Sequence, residues 1–118
     1  YLLVPIPLHP ARERERGFNQ ARLLAQEIKS ATGIPIIEGL VRIKNTEAQA
    51  KMNDRKTRKI NIENCFAWNP RYHTREIRKK NIFLIDDVST SGATLQEAVH
   101  VLRKHGAKKI IALVVAKA

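Results

Sequence analysis

The chain has 118 residues, 43% of them hydrophobic, enough for one compact core and too few for two ordinary domains. No apolar run approaches the roughly 20 residues needed to cross a bilayer, no secretory signal is visible, and Cys65 is the single cysteine, which excludes an internal disulfide and a cysteine-built zinc site. The formal charge is +11, and between Arg42 and Lys80 twelve Lys/Arg stand against four Asp/Glu, so an anionic partner is expected, either the phosphates of a small molecule or those of nucleic acid.

Residues 2–6 form an apolar run interrupted by Pro5 and stopped by Pro7, which predicts a short buried strand and a rigid turn. Asn19 is placed to cap a helix whose apolar face carries Ala21, Leu24, Ala25 and Ile28, with Gly33 at its end. A second strand is expected over residues 36–43. Residues 44–64 are polar, basic and without sustained periodicity, a long excursion with a helical turn or two near residues 54–60. Residues 65–68 read as a short returning strand. Ile82-Phe-Leu-Ile85 is apolar at every position, as a central parallel strand covered on both faces should be. Leu95, Ala98, Val99 and Leu102 mark the next helix, Gly106 its stop, and residues 110–116 the last strand. Two strand–helix alternations with short connections predict an α/β fold, an open, mostly parallel twisted sheet with flanking helices. The chain begins at Tyr1 rather than Met, so a fragment lacking an upstream segment is expected, as is a reducing, cytoplasmic setting.

Residues 82–94, Ile-Phe-Leu-Ile-Asp-Asp-Val-Ser-Thr-Ser-Gly-Ala-Thr, hold the densest chemistry. The strand delivers Asp86 and Asp87 to the carboxyl edge of the sheet, where two carboxylates can accept hydrogen bonds from paired ribose hydroxyls. The small residues Thr90, Ser91, Gly92, Ala93 and Thr94 let backbone N–H groups converge on a phosphate at a helix N-terminus. A sugar phosphate with vicinal hydroxyls satisfies both halves. An apolar strand ending in an acid pair also occurs in ATPases, but no Gly-x-x-x-x-Gly-Lys-Ser/Thr is present and no Lys lies in the loop after Asp87.

This segment resembles the 5-phosphoribosyl 1-pyrophosphate (PRPP) motif of type I phosphoribosyltransferases. The stretch Val4-Pro-Ile-Pro-Leu-His-Pro10, the alternating Arg12, Arg14 and Arg16, and Gly17-Phe-Asn-Gln20 resemble the ComF family, competence-associated proteins with such a domain. Gln49, residues 58–61 and Phe66 resemble that family's central segment. The resemblance implies that Asp86 and Asp87 hold the ribose hydroxyls and that residues 90–94 cradle the 5′-phosphate. It implies that the turn at residues 8–12, with Leu8, His9 and Arg12, faces the pyrophosphate. Basic residues of the excursion, Arg58 among them, would close over it as a flexible lid. Mg²⁺ is implied as the ion carried with PRPP, with no metal-binding residues in the chain itself.

The function so implied is transfer of ribosyl 5-phosphate from PRPP to a nitrogen nucleophile with release of pyrophosphate. Where purine-salvage members often carry an acid able to contact the base, this chain has Thr90, which cannot serve as a carboxylate. The cysteine-rich segment common ahead of this domain in ComF proteins has no counterpart in these residues. Other readings stay open beside these. Arg12, Arg14 and Arg16 alternate with Glu13 and Glu15, the pattern of a salt-bridged surface helix. His73, His100 and His105 lack metal-ligand spacing and read as surface residues. The alternative function is a DNA-uptake module whose PRPP pocket is a sensor or relic, with a weak single-stranded DNA contact or a competence-machinery partner. Its basic charge favours this, and its three Phe, two Tyr and one Trp, few platforms for base stacking, do not.

Overall fold

A computed structural model describes residues 1–43, 65–87 and 92–115. In chain order the elements are β1 (Leu2–Pro5), α1 (Pro10–Arg16), α2 (Gln20–Thr32), β2 (Leu40–Arg42), β3 (Phe66–Trp68), a 3₁₀ turn (Thr74–Glu76), β4 (Asn81–Asp87), α3 (Gly92–Lys104) and β5 (Lys109–Val115). The expected excursion and lid, Arg58 included, lie outside the described residues.

The central sheet is parallel, with the order β1-β4-β5 among the described residues, and it does not close on itself. Leu2 to Pro5 pair with Ile82 to Ile85, and Asp86 and Asp87 lie opposite Val114 and Val115. Parallel strands bury both faces under helices. Ile82, Leu84 and Ile85 are each at most 1% exposed, which is the reason residues 82–85 read as uninterrupted apolar sequence. On one face Ala21 and Ala25 of α2 meet Leu3 and Ile85, their small side chains allowing close approach. On the other, Ala98, Val101 and Leu102 of α3 meet Val4, Ile82 and Leu84. The stripe expected on α3 is thus shifted: Thr94 and Val101 are buried, while Leu95 and Val99 pack from its margin.

Residues 36–43 do not form one strand. Ile36 makes an isolated parallel bridge to Leu3 beside β1, and β2 pairs antiparallel with β3 in a separate ribbon. Between them the Glu38 carbonyl accepts from the side-chain amide of Asn69 (2.9 Å), and the Gly39 carbonyl accepts from the Asn69 backbone N–H (2.7 Å), which continues the β2–β3 pairing. The Trp68 ring packs directly on Gly39, where an added Cβ would come within 2.7 Å of it. The indole also stacks on His105 (5.5 Å) and donates to the Tyr72 carbonyl (2.8 Å). His105 is therefore a half-buried packing residue rather than a surface one, whereas His73 and His100 differ: His73 caps the 3₁₀ turn, and His100 is exposed. No helix among the described residues is long and apolar enough to cross a membrane.

Candidate functional site at the carboxyl edge of the sheet

The last residues of β4 carry the two acids. Asp86 is 3% exposed, and its Oδ1 accepts a hydrogen bond from the Asp87 N–H (2.8 Å). Asp87, half-buried, turns its Oδ2 toward Arg16 Nη2 of α1 at 3.9 Å. After them the chain enters α3, where Gly92 and Ala93 are exposed at the first turn and Thr94 is buried. Thr90 and Ser91 lie outside the described residues. The helix begins at Gly92, a few residues after the acids, and the N-terminus of a helix carries the positive end of its dipole.

The turn after β1 reaches the same edge. The Ile6 N–H donates to the Ile85 carbonyl (2.8 Å), extending the β1–β4 ladder, and the Asn19 amide donates to the Ile6 carbonyl (3.2 Å). Asn19 also accepts from the N–H groups of Ala21 (3.0 Å) and Arg22 (3.4 Å), so one buried side chain caps α2 and pins the turn. Only the capping half of that role is legible from residue type.

The turn is shorter than residues 8–12, because Pro10 opens α1, a position proline favours for lack of an N–H to satisfy. His9 caps that helix, Nδ1 accepting from the Ala11 N–H (3.1 Å), which assigns it a structural task in addition to its place in the turn. Arg12 lies within α1. Leu8 lines a cleft of about 240 Å³ together with Pro7, Glu13, Arg22, Arg42 and Arg71.

Charged residues of α1 pair with residues of other elements. Glu13 pairs with Arg22 of α2, which also pairs with Glu38 before β2. Partial burial opposes the Arg22 charge, yet its bonds to Glu38 and Glu13 outweigh that and hold the guanidinium pKa above its ordinary value. Arg22 and Glu38 carried no signal in the sequence, because an ion pair between distant elements leaves no local spacing. Among the described residues no group of three or more His, Cys, Asp or Glu is arranged to hold a metal ion.

The family described as "Phosphoribosyl transferase domain" matches residues 15–118. Over 109 residues the chain is 36% identical to "Competence protein F" of Haemophilus influenzae, covering 92% of this chain and 46% of that protein. It is 41% identical over 106 residues to "Competence protein ComFC" of Bacillus subtilis, covering 90% of this chain and 40% of the relative. "DNA utilization protein YhgH" of Escherichia coli is 29% identical over 109 residues. The chain thus spans somewhat less than half the length of these curated relatives. Among solved structures, an allosteric regulatory enzyme of purine biosynthesis superposes with a TM-score of 0.57 at 17% identity, over 96% of this chain and 21% of the other. The glutamine PRPP amidotransferase of B. subtilis gives a TM-score of 0.56 at 17% identity, over 96% and 22%. At such identities the likeness is one of fold, and it bears out the open parallel α/β sheet expected from the sequence.

Proposed function

The chain belongs to the phosphoribosyl transferase domain family, and we propose that it binds PRPP and transfers its ribosyl 5-phosphate to a nitrogen nucleophile, releasing pyrophosphate. The observation that carries this reading is the acid pair Asp86–Asp87 at the carboxyl end of the central strand, immediately ahead of the N-terminal end of α3. Asp86 and Asp87 accept hydrogen bonds from the ribose 2′ and 3′ hydroxyls, and residues 90–94 take the 5′-phosphate at the helix N-terminus. Leu8, His9, Arg12 and Arg58 are the positions proposed to face the pyrophosphate.

Such a reaction needs a stabilised leaving group more than a protein nucleophile. The ribosyl centre gains oxocarbenium character as its C1–O bond breaks, so holding the ribose still at one end while charge is neutralised at the other lowers the barrier. Mg²⁺ carried in with PRPP would take up charge growing on the pyrophosphate, while Asp86 and Asp87 hold the ribose hydroxyls. The nitrogen acceptor is left open, and Thr90 lends no support to a purine.

Calorimetric titration with PRPP and Mg²⁺ tests the reading. Binding is expected in the native chain, with a loss of tenfold or more in a folded D86N/D87N double variant, since hydrogen bonds to charged groups contribute roughly 1.5–3 kcal/mol each. Unchanged affinity in that variant sinks the assignment.

The names of the relatives favour a second reading, a DNA-uptake module. Against base stacking stands the small number of free aromatic faces among the described residues: Phe66 is buried under Arg42 and Trp68 stacks on His105, which leaves Tyr1 and Phe18 as the exposed large rings. Single-stranded DNA is expected to bind through charge alone and to weaken steeply between about 50 and 200 mM salt, while PRPP binding weakens less. Tight DNA binding at 200 mM salt without PRPP binding would reverse the order of the two readings.

A further inference from the structure

From the contact between α1 and β4 we infer that Arg16 is a positioning residue of the PRPP site, holding Asp87 in its ribose-facing place and offsetting its charge against an anionic ligand. The inference rests on the PRPP reading and deepens it. A ligand carrying a phosphate and a pyrophosphate must approach two adjacent carboxylates, and like charges oppose that approach unless a cation stands beside them. Arg16 Nη2 lies 3.9 Å from Asp87 Oδ2, with the two side chains only 25% and 20% exposed, so water screens the pair less than it does a surface pair.

The arginine is held where it is needed. Its guanidinium carbon sits 5.4 Å from the centroid of the Phe18 ring, a cation–π geometry that fixes the planar group from one side. Phe18 reaches that position because Gly17 closes α1 with φ +82°, a backbone conformation that side-chain-bearing residues adopt with strain. The helix carrying Arg16 is in turn tied to α2 through Glu13 and Arg22. Arg14, on the same short helix, is exposed, and serves as the matched control.

The test is a double-mutant cycle read by titration with PRPP and Mg²⁺, and separately with ribose 5-phosphate and with inorganic pyrophosphate, on the native chain, R16Q, R16K, D87N, R16Q/D87N and R14Q. R16Q is expected to weaken PRPP and ribose 5-phosphate by about threefold to tenfold while sparing pyrophosphate, with the melting temperature recording that the fold persists. R16K, which keeps the charge without the fork, is expected to recover part of the loss. In the D87N background the further R16Q change is expected to cost little, because a residue acting through Asp87 has nothing left to act upon. R14Q is expected to bind as the native chain does.

Equal affinity of R16Q and the native chain for PRPP overturns the inference. So do additive losses in the cycle, or an equal fall for all three ligands together with a lowered melting temperature. A native chain that binds neither PRPP nor ribose 5-phosphate overturns the PRPP reading itself, and the role of Arg16 with it.

Discussion

The carboxyl end of β4 and the turn leading into α1 meet at one edge of the sheet, yet opposite kinds of force hold them there. Asp86 and Asp87 are delivered by a strand whose Ile82, Leu84 and Ile85 are almost wholly removed from water and whose ladder is paired on both sides. Nonpolar burial and backbone hydrogen bonds place the acid pair, and added salt has little hold on either. Ile6 still belongs to the core and its N–H extends the ladder, but beyond it residues 7–16 are tied by polar contacts: Asn19 to the Ile6 carbonyl, His9 to Ala11, Glu13 to Arg22, Arg16 to Asp87. One wall of the site is therefore built as core, and the other as a set of separable polar links.

Leu84→Ala, in the first wall, should show the largest effect. Truncating a fully buried leucine leaves a cavity and is expected to cost about 2–5 kcal/mol, measured as a fall in the urea midpoint without a salt dependence. The folded fraction is expected to keep its PRPP affinity. Asn19→Ala, at the junction of the two walls, removes a helix cap and the tie to Ile6 together. A loss of about 0.5–2 kcal/mol is expected from the cap alone, with weakened PRPP binding as the turn loosens. Arg22→Gln touches only the polar wall, and its ion pairs, more than a third exposed on the Arg22 side, are expected to contribute about 0.2–1 kcal/mol at low salt and less at 0.5 M. If Arg22→Gln were as destabilising as Leu84→Ala and equally indifferent to salt, the contrast between the walls would fall.

Much of the first wall is legible in the sequence. Four consecutive apolar residues followed by Asp-Asp announce a central strand ending at a ligand edge, and Asn19 and Gly33 bracket α2 because capping acts within a few residues of the helix end. The second wall is legible only in part. Its charges alternate as on a solvated helix, and residue order alone does not separate Glu13 paired with a neighbour from Glu13 paired with Arg22.

Local signals therefore determined the strands β1, β4 and β5, the helix α2 and the acid pair, because backbone preference, periodicity and capping are settled between residues close in the chain. Tertiary structure decided what depends on distant partners. The strand expected over residues 36–43 divides where Asn69 binds the carbonyls of Glu38 and Gly39 and Trp68 fills the space over Gly39. His105 becomes a packing residue because the same Trp68 stacks on it. Arg16 stands beside Asp87 because the turn after β1 carries α1 to the end of β4, and such a pairing of charges is set by where elements dock and how far water is excluded, quantities that no spacing in a single chain encodes.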